Sequence, residues 1–410
     1  MATNTTHATS QASVSESNRS RIVKHLYHNG ISSRAQIAKA LELTPAAITK
    51  ITARLIEAGM IEETGDLEGS KNRRSIGLKL NTTHFRIIGI KFARSLVQIG
   101  VFDLCGNTLS FENLPTVCDN TINDSIVTIH QRVEQLLDND PSIVAIGMAV
   151  PGPYLRNVGR TAVVSNMQGW RKINFIDEFA TAFRVPVFIE QDARAGALAH
   201  YLFDPSVHAD DNLAYYLVGE GVGLGVIDNG RLINGFLGAA TEIGHISIDV
   251  NGRPCDCGNV GCLERYCSTP AIHDTLIVHD TLIADGTVVP GAADMTHTEA
   301  ARALFAKAGD GDEAAIAIVR EVARYVGYGC VTIFNGYNPE HIIIGDIVSE
   351  AGPILLDEVR ATVAERAIPE INASTSISLS TLSADAAVSG AAAVAVTQFL
   401  EHPSVFFDVS

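Results

Sequence analysis

Four residues able to hold a metal ion crowd together in this sequence: His245, Cys255, Cys257 and Cys262. Nine residues separate the histidine from the first cysteine, and the thiols follow as Cys-x-Cys-x-x-x-x-Cys. One imidazole and three thiolates form the Cys3His donor set of a closed tetrahedral zinc site. Gly252, Gly258 and Gly261 supply the backbone freedom that so tight a loop requires. Four protein ligands leave no position for an activated water, so the expected ion is one structural Zn2+ per chain. The competing reading is a set of reduced thiols without metal. The chain has 7 cysteines, an odd number. Its N-terminal stretch lacks an apolar signal region, so the cluster favours metal over disulfides and predicts a cytoplasmic protein. Cys267, about one helical turn beyond Cys262, is expected to pack rather than ligate.

The second chemistry is recognition of nucleic acid. Lys71, Arg73 and Arg74 place three positive charges on the polar run Ser70–Ser75. Upstream, Thr44 and Pro45 are a cap residue and a proline suited to the first helical position. In the helix they open, Ile48, Ile51 and Leu55 share one face, while Ala46, Thr49, Lys50 and Ala53 share the other. Small, hydroxylated and basic side chains on such a face can reach base edges and phosphates in a major groove. The formal net charge of −16 by itself argues against a polyanionic partner, but its distribution is uneven. Residues 1–80 carry 11 Lys+Arg and 7 Asp+Glu, a net of +4; residues 81–410 carry 19 and 39, a net of −20. A basic head on an acidic body can bring one end to DNA while the rest stays dissolved.

The elements that must position these groups follow from pattern. Residues 1–17, rich in Ser, Thr and Asn, are expected as a disordered tail. Residues 18–80 contain three helical stripes, Ile22/Val23/Leu26, Ile37/Ala38/Leu41 and Ile48/Ile51/Leu55. Two strand-like segments follow, Met60–Glu63 and Ile76–Leu80, flanking the basic tip. Together these predict a winged helix-turn-helix whose DNA contacts are Thr44, Ala46, Thr49 and Lys50 on the recognition helix and Lys71, Arg73 and Arg74 on the wing. A small helical interaction domain is the competing reading.

Beyond residue 80, strands alternate with helices, which indicates α/β layers. A hairpin over 85–103, a helix over 121–137 and a buried strand over 143–150 make one cycle. Strands 214–218 and 225–227, helices 298–308 and 312–335 and strand 341–345 make a second. Two similar cycles predict two lobes with a ligand cleft between them. Their expected extents are residues 81–195, rejoined by a helix near 386–400, and residues 196–385, which hold the zinc loop 245–262. No apolar run approaches the roughly 18–20 residues of a membrane span, so no membrane insertion is expected.

Glu242-Ile243-Gly244-His245 precedes Cys-x-Cys-Gly-x-x-Gly-Cys-x-Glu, which runs from Cys255 to Glu264. Ala149-Val150-Pro151-Gly152-Pro153, Asn166-x-x-Gly169-Trp170, Gln191-Asp192-Ala193 and Asn338-Pro339-Glu340 accompany it in order. This arrangement resembles the signature of the ROK family (repressors, open reading frames, kinases) over residues 20–400. With its winged-helix head, the chain is similar to the repressor branch, which includes the N-acetylglucosamine and xylose regulators. The resemblance implies an actin/hexokinase-like two-lobed body, a structural zinc, a sugar site in the cleft, and a homodimer or homotetramer. By motif, the residues that hold hexose hydroxyls in family kinases match Asn166, Asp192, Glu242, His245 and Glu264, with Gln191 where Asn is usual. Carboxylates accept from vicinal hydroxyls and amides both donate and accept, the mixture a polyol needs. His245 would serve twice, ligating zinc through one ring nitrogen and meeting a hydroxyl through the other.

Family kinases carry a loop close to Asp-x-Gly-Gly-Thr after the first strand, which handles phosphates and magnesium. The matching stretch here is Lys91-Phe92-Ala93-Arg94-Ser95. The loop Gly219-Glu220-Gly221-Val222-Gly223 keeps its glycines but has Glu220 where kinases usually have Thr, and Gly345-Asp346 replaces a Gly-Gly pair beside adenine. A carboxylate beside a γ-phosphate repels it and removes a hydroxyl donor. These departures predict no catalytic residues. The expected function is a sugar-responsive repressor of carbohydrate uptake or catabolism genes, bound to double-stranded operator DNA and released by a sugar or sugar phosphate. The alternatives are an active ROK sugar kinase and a repressor controlled by a protein partner.

Overall fold

The computed structural model describes residues 11–67, 75–93, 96–115, 117, 120–162, 168–282, 288–382 and 386–407. The head begins with α1 (Gln11–Asn29) and the short β1 (Ser32–Ser33). Ser33 then caps α2 (Arg34–Leu41) in a reciprocal box with Gln36. Glu42 turns the chain at φ 55° and Thr44 caps α3 (Pro45–Glu57), with Pro45 in its first turn. β2 (Ile61–Leu67) and β3 (Ser75–Leu80) form the antiparallel wing hairpin, and β1 pairs with the other edge of β3. Ile22, Val23, Leu26, Ile37, Ile48 and Leu55 are fully or almost fully buried and form the core of the head.

Gln11–Ser17, expected in a disordered tail, are instead the first turns of α1. The Ser404 backbone N–H donates to the Glu16 carboxylate at 3.1 Å, and Arg19 pairs with Glu16 at 2.7 Å. Contacts from the far end of the chain thus hold a polar sequence helical, a tertiary override of weak local propensity. Residues 1–10 of that expected tail lie outside the described residues.

Among the described residues, two five-stranded sheets form the body. In the first, β4 (Arg86–Phe92), β5 (Val97–Asp103) and β6 (Thr108–Asn113) make an antiparallel meander, followed by α4 (Ile122–Asn139) and β7 (Ile143–Val150). A small hairpin, β8 (Tyr154–Leu155) and β9 (Arg160–Thr161), precedes β10 (Val187–Gln191) and α5 (Asp192–Phe203). The strand order is β10-β7-β4-β5-β6, with β7 parallel to both β4 and β10.

The second sheet repeats this wiring. Its meander is β11 (Leu213–Val218), β12 (Val222–Asp228) and β13 (Arg231–Leu232). Helices α6 (Glu264–Cys267), α7 (Thr269–Leu282), α8 (His297–Gly309) and α9 (Glu313–Tyr337) lead to β14 (His341–Gly345), and α10 (Gly352–Arg366) and α11 (Pro369–Asn372) lead to β15 (Ser376–Leu379). The order β13-β12-β11-β14-β15 again adds two parallel strands beyond the first strand of a meander, connections that need helical crossovers.

The last helix, α12 (Ala386–Glu401), returns to the first sheet. A Cβ on Gly147 would fall on the Ala391 carbonyl, and one on Gly89 would lie 2.8 Å from the Val388 carbonyl. Glycine in the strands therefore lets the helix backbone rest directly on the sheet. Gly390 meets the backbone of Ala195, so α12 and α5 also pack closely. Among the described residues, no helix is long and apolar enough to cross a membrane.

Candidate functional site

His245, Cys255, Cys257 and Cys262 converge, with one ligand atom from each within 4.8 Å of the others. Isolated β-bridges Ser247–Cys262 and Pro254–Val260 fold the loop back on itself. Gly258 and Gly261 take φ of 91° and 72°, left-handed values that glycine adopts without cost. At Gly261 a side chain would also strike the Asp249 backbone.

The donor set fits a tetrahedral ion. Zn–S bonds of about 2.3 Å and Zn–N bonds of about 2.0 Å place neighbouring ligand atoms roughly 3.5–3.8 Å apart. Cys257 Sγ and Cys262 Sγ are 3.6 Å apart, and Cys255 Sγ is 3.8 Å from His245 Nδ1. Burial, followed by the neighbouring thiols, pushes Cys262 up to about 12, a mutual repulsion that a cation would relieve. Cys267 is fully buried in the second-sheet core.

A cleft of about 640 Å³ opens beside this loop, and Gln191, Asp192, Glu242, His245 and Glu264 all line it. They come from the end of β10, the start of α5, the turn that ends at His245, and α6. Asn166 lies outside the described residues. Gln191 caps α5, its Oε1 accepting from the Arg194 N–H at 3.0 Å. Its side chain packs where Gly152 and Gly223 lack a Cβ. Glu264 accepts from the Val222 N–H at 3.0 Å. Burial, reinforced by Asp192 and Glu264 and opposed by Arg194, pushes Glu242 up to about 8. At neutral pH Glu242 therefore holds its proton and can donate as well as accept. His245 Nδ1 faces Cys255, which leaves the opposite ring edge for the cleft.

Two networks beside the cleft escaped the sequence reading. Arg194 is fully buried and forms an ion pair with Glu190, 3% exposed, at 3.2 Å. It also donates to the Gly238 carbonyl at 2.5 Å and to Asn234 Oδ1, while Arg156 pairs with the same Glu190 and Asn234. This network ties the strand that ends at Gln191 to the loop that leads to Glu242. Its only sequence signal was an arginine inside the alanine-rich run Asp192-Ala-Arg-Ala-Gly-Ala-Leu-Ala. The second group centres on buried His200, whose Nε2 meets Ser380 Oγ at 3.0 Å and whose Nδ1 meets Asp204 at 3.3 Å. The His200 ring stacks on Tyr215 at 5.0 Å. Only the four-residue spacing of His200 and Asp204 is local; Tyr215 and Ser380 come from other elements.

Lys91, Ala93, Glu220 and Asp346 also line the cleft, while Arg94 lies outside the described residues. In the head, Thr44 Oγ1 accepts from the Ala47 N–H at 3.3 Å. Ala46, Thr49 and Lys50 are exposed on α3, opposite buried Ile48 and Leu55. Lys71, Arg73 and Arg74 are outside the described residues. Head and body are joined by Tyr27, whose hydroxyl donates to the carbonyls of Leu104 at 3.1 Å and Leu202 at 3.3 Å. Lys24 pairs with Glu401 at 2.9 Å.

Comparison with known proteins agrees with this architecture. The profile of winged helix-turn-helix DNA-binding domains matches residues 16–62. The chain is 29% identical over 360 residues to the DNA-binding transcriptional dual regulator NagC of Escherichia coli (strain K12), covering 87% of this chain and 86% of that one; the N-acetylglucosamine repressor of Escherichia coli O157:H7 shows the same identity and coverage. The crystal structure of a ROK family transcriptional regulator, a homolog of the E. coli MLC protein, superposes with a TM-score of 0.80 at 28% identity, covering 96% of this chain and 98% of that one. A ROK family glucokinase from Streptomyces griseus in complex with glucose and AMPPNP superposes with a TM-score of 0.65 at 25% identity, covering 75% of this chain and 98% of the kinase. The ROK profile itself matches residues 87–398, well over half of the chain, and the protein therefore belongs to the ROK family, with a winged helix-turn-helix head ahead of the family's body.

Proposed function

We propose that the protein is a cytoplasmic, sugar-responsive transcription regulator that represses carbohydrate uptake or catabolism genes. It acts as a homodimer or homotetramer and leaves its operator when a sugar or sugar phosphate binds. The observation that carries this reading is the physical tie between cleft and head through α5. The 12 residues of this helix span about 18 Å. Asp192 at its start lines the cleft, and Leu202 near its end accepts from Tyr27 of α1. A ligand that draws the cleft walls together shifts α5, and the shift passes through Tyr27 to the spacing of the paired heads. Such couplings are typically about 1–3 kcal/mol.

In this reading Thr44, Ala46, Thr49 and Lys50 contact DNA from α3, and Lys71, Arg73 and Arg74 from the wing. Asn166, Gln191, Asp192, Glu242, His245 and Glu264 bind the sugar. His245, Cys255, Cys257 and Cys262 hold one Zn2+, which supplies a structural crosslink beside the cleft when bound. The lobes divide at residues 81–195 with 386–400, and 196–385. Phosphotransfer is not part of this function: Lys91 stands where an acid handles metal and phosphate in the kinases, and Glu220 and Asp346 bring carboxylates to the phosphate loop.

The test is titration of the full chain onto labelled DNA from upstream of its own gene, by fluorescence anisotropy at fixed salt, with a panel of sugars and sugar phosphates. Tight binding released by one compound is the expected result. Binding that no compound alters moves the signal to a protein partner, and no preference over random DNA defeats the repressor reading for that operator.

A further inference from the structure

Resting on the sugar-sensor reading above, we propose that the effector is an unphosphorylated sugar, because the end of the cleft around Gly219–Gly223 and Asp346 is built to refuse a phosphate. A phosphate is held by free backbone amides, by open helix N-termini or by unpaired cations. Here the Gly219 and Val222 amides, the N-termini of α5 and α8 and the Arg302 guanidinium are already engaged, and Lys91 is outnumbered by carboxylates.

In the glycine loop, the Gly219 N–H donates to the Gly221 carbonyl at 2.9 Å and the Val222 N–H to the Glu264 carboxylate at 3.0 Å. Of the helices whose first turns reach the cleft, α5 and α8 are closed by their own side chains. On α5 the Ala193 N–H donates to Asp192 at 2.7 Å and the Arg194 N–H to Gln191 at 3.0 Å. On α8 the Glu299 N–H donates to Thr296 Oγ1 at 3.3 Å, and the Thr296 N–H donates to the Glu299 carboxylate at 2.9 Å. Both helix ends therefore already carry a carboxylate.

The charge balance points the same way. Among the described lining residues, the carboxylates Asp192, Glu220, Glu264, Asp346 and Glu350 outnumber the cations Lys91 and Arg302, with protonated Glu242 neutral. Arg302 is held in bidentate fashion by Glu350, at 2.8 and 2.9 Å. The Asp346 carboxyl sits 2.7 Å from where Gly219 would carry a Cβ, and the Ile347 N–H donates to it at 2.7 Å. A fixed carboxylate thus fills the space beside the glycine loop that an incoming phosphate would need. A neutral polyol meets no such opposition, because Asp192, Glu242, Glu264 and the Gln191 amide are hydroxyl partners.

The experiment uses thermal shift and calorimetry on the full chain with free aldohexoses, N-acetylhexosamines and pentoses, each hexose paired with its 6-phosphate. A free sugar is expected to bind, with its 6-phosphate weaker by about tenfold or more. The double variant Glu220→Thr/Asp346→Gly should narrow that gap by about tenfold. Asp346 sits at φ 66°, which glycine adopts freely, so the variant keeps the backbone path. A 6-phosphate that binds as tightly as its parent sugar overturns the proposal and leaves the sugar-sensor reading standing. An unchanged gap in the double variant overturns the assignment to these two carboxylates. If no sugar or sugar phosphate binds while operator DNA does, both the proposal and the sugar-sensor reading fail.

Discussion

Tyr27→Phe tests whether α5 carries the signal. The Tyr27 hydroxyl donates to Leu104 in the body's first meander and to Leu202 in the last turn of α5, at 3.1 and 3.3 Å. One proton is shared between two carbonyls, so its removal costs about 0.5–1.5 kcal/mol net. If ligand binding moves Leu202 relative to Leu104, up to about 1 kcal/mol of the coupling runs through this hydroxyl, out of a typical 1–3 kcal/mol. The ratio of operator Kd with and without saturating effector should then fall by about fivefold, since 1.4 kcal/mol is tenfold, while the Kd for effector alone changes by less than about twofold. Lys24→Ala is the comparison: its ion pair with Glu401 is more than 30% exposed on both sides and is worth about 0–1 kcal/mol at most, so its effect should be smaller. Anisotropy titrations at fixed salt measure both ratios. If Tyr27→Phe weakens operator binding equally with and without effector, the hydroxyl is only structural and the α5 relay is refuted.

Other perturbations read other parts of the structure. Cys262→Ser, or dialysis against a strong chelator, should remove one metal ion per chain by elemental analysis, lower the melting temperature and weaken effector binding through His245 and Glu264; a native protein that holds no metal refutes the assignment. Glu242 stands near 8 in the fold against an ordinary 4.5, so the unfolded chain binds fewer protons between those values and stability from this residue falls as pH rises through that window. Glu242→Gln should therefore gain melting temperature over the wild type progressively from pH 5 to pH 8, and parallel curves would contradict the shift. Gly147→Ala drives a methyl into the Ala391 carbonyl of α12 and should cost about 1–3 kcal/mol or more in chemical denaturation. Gly336→Ala, on the α9 helix with open space around it, should gain about 0.4–1 kcal/mol.

Short-range features were legible in the sequence because spacing alone determines them. The His245–Cys262 cluster, the Thr44-Pro45 start of the recognition helix and the strand His341–Gly345 each depend on neighbours a few residues away, and their cap, turn and ligand chemistry is written locally. The motif resemblance also placed Gln191, Asp192, Glu242, His245 and Glu264 in one set, and the fold brings them to one cleft. Tertiary structure alone decided the rest. Gln11–Ser17 is helical because the Ser404 segment folds back on it, a contact nearly the whole chain length away. α12 reaches the first sheet because Gly89 and Gly147 open a path for its backbone. The proton on Glu242 depends on burial and on Asp192 and Glu264 arriving from other elements, and Arg194 is buried only because Glu190, Asn234 and Gly238 surround it. Burial and electric field are sums over groups distant in sequence, so no local window of residues contains them.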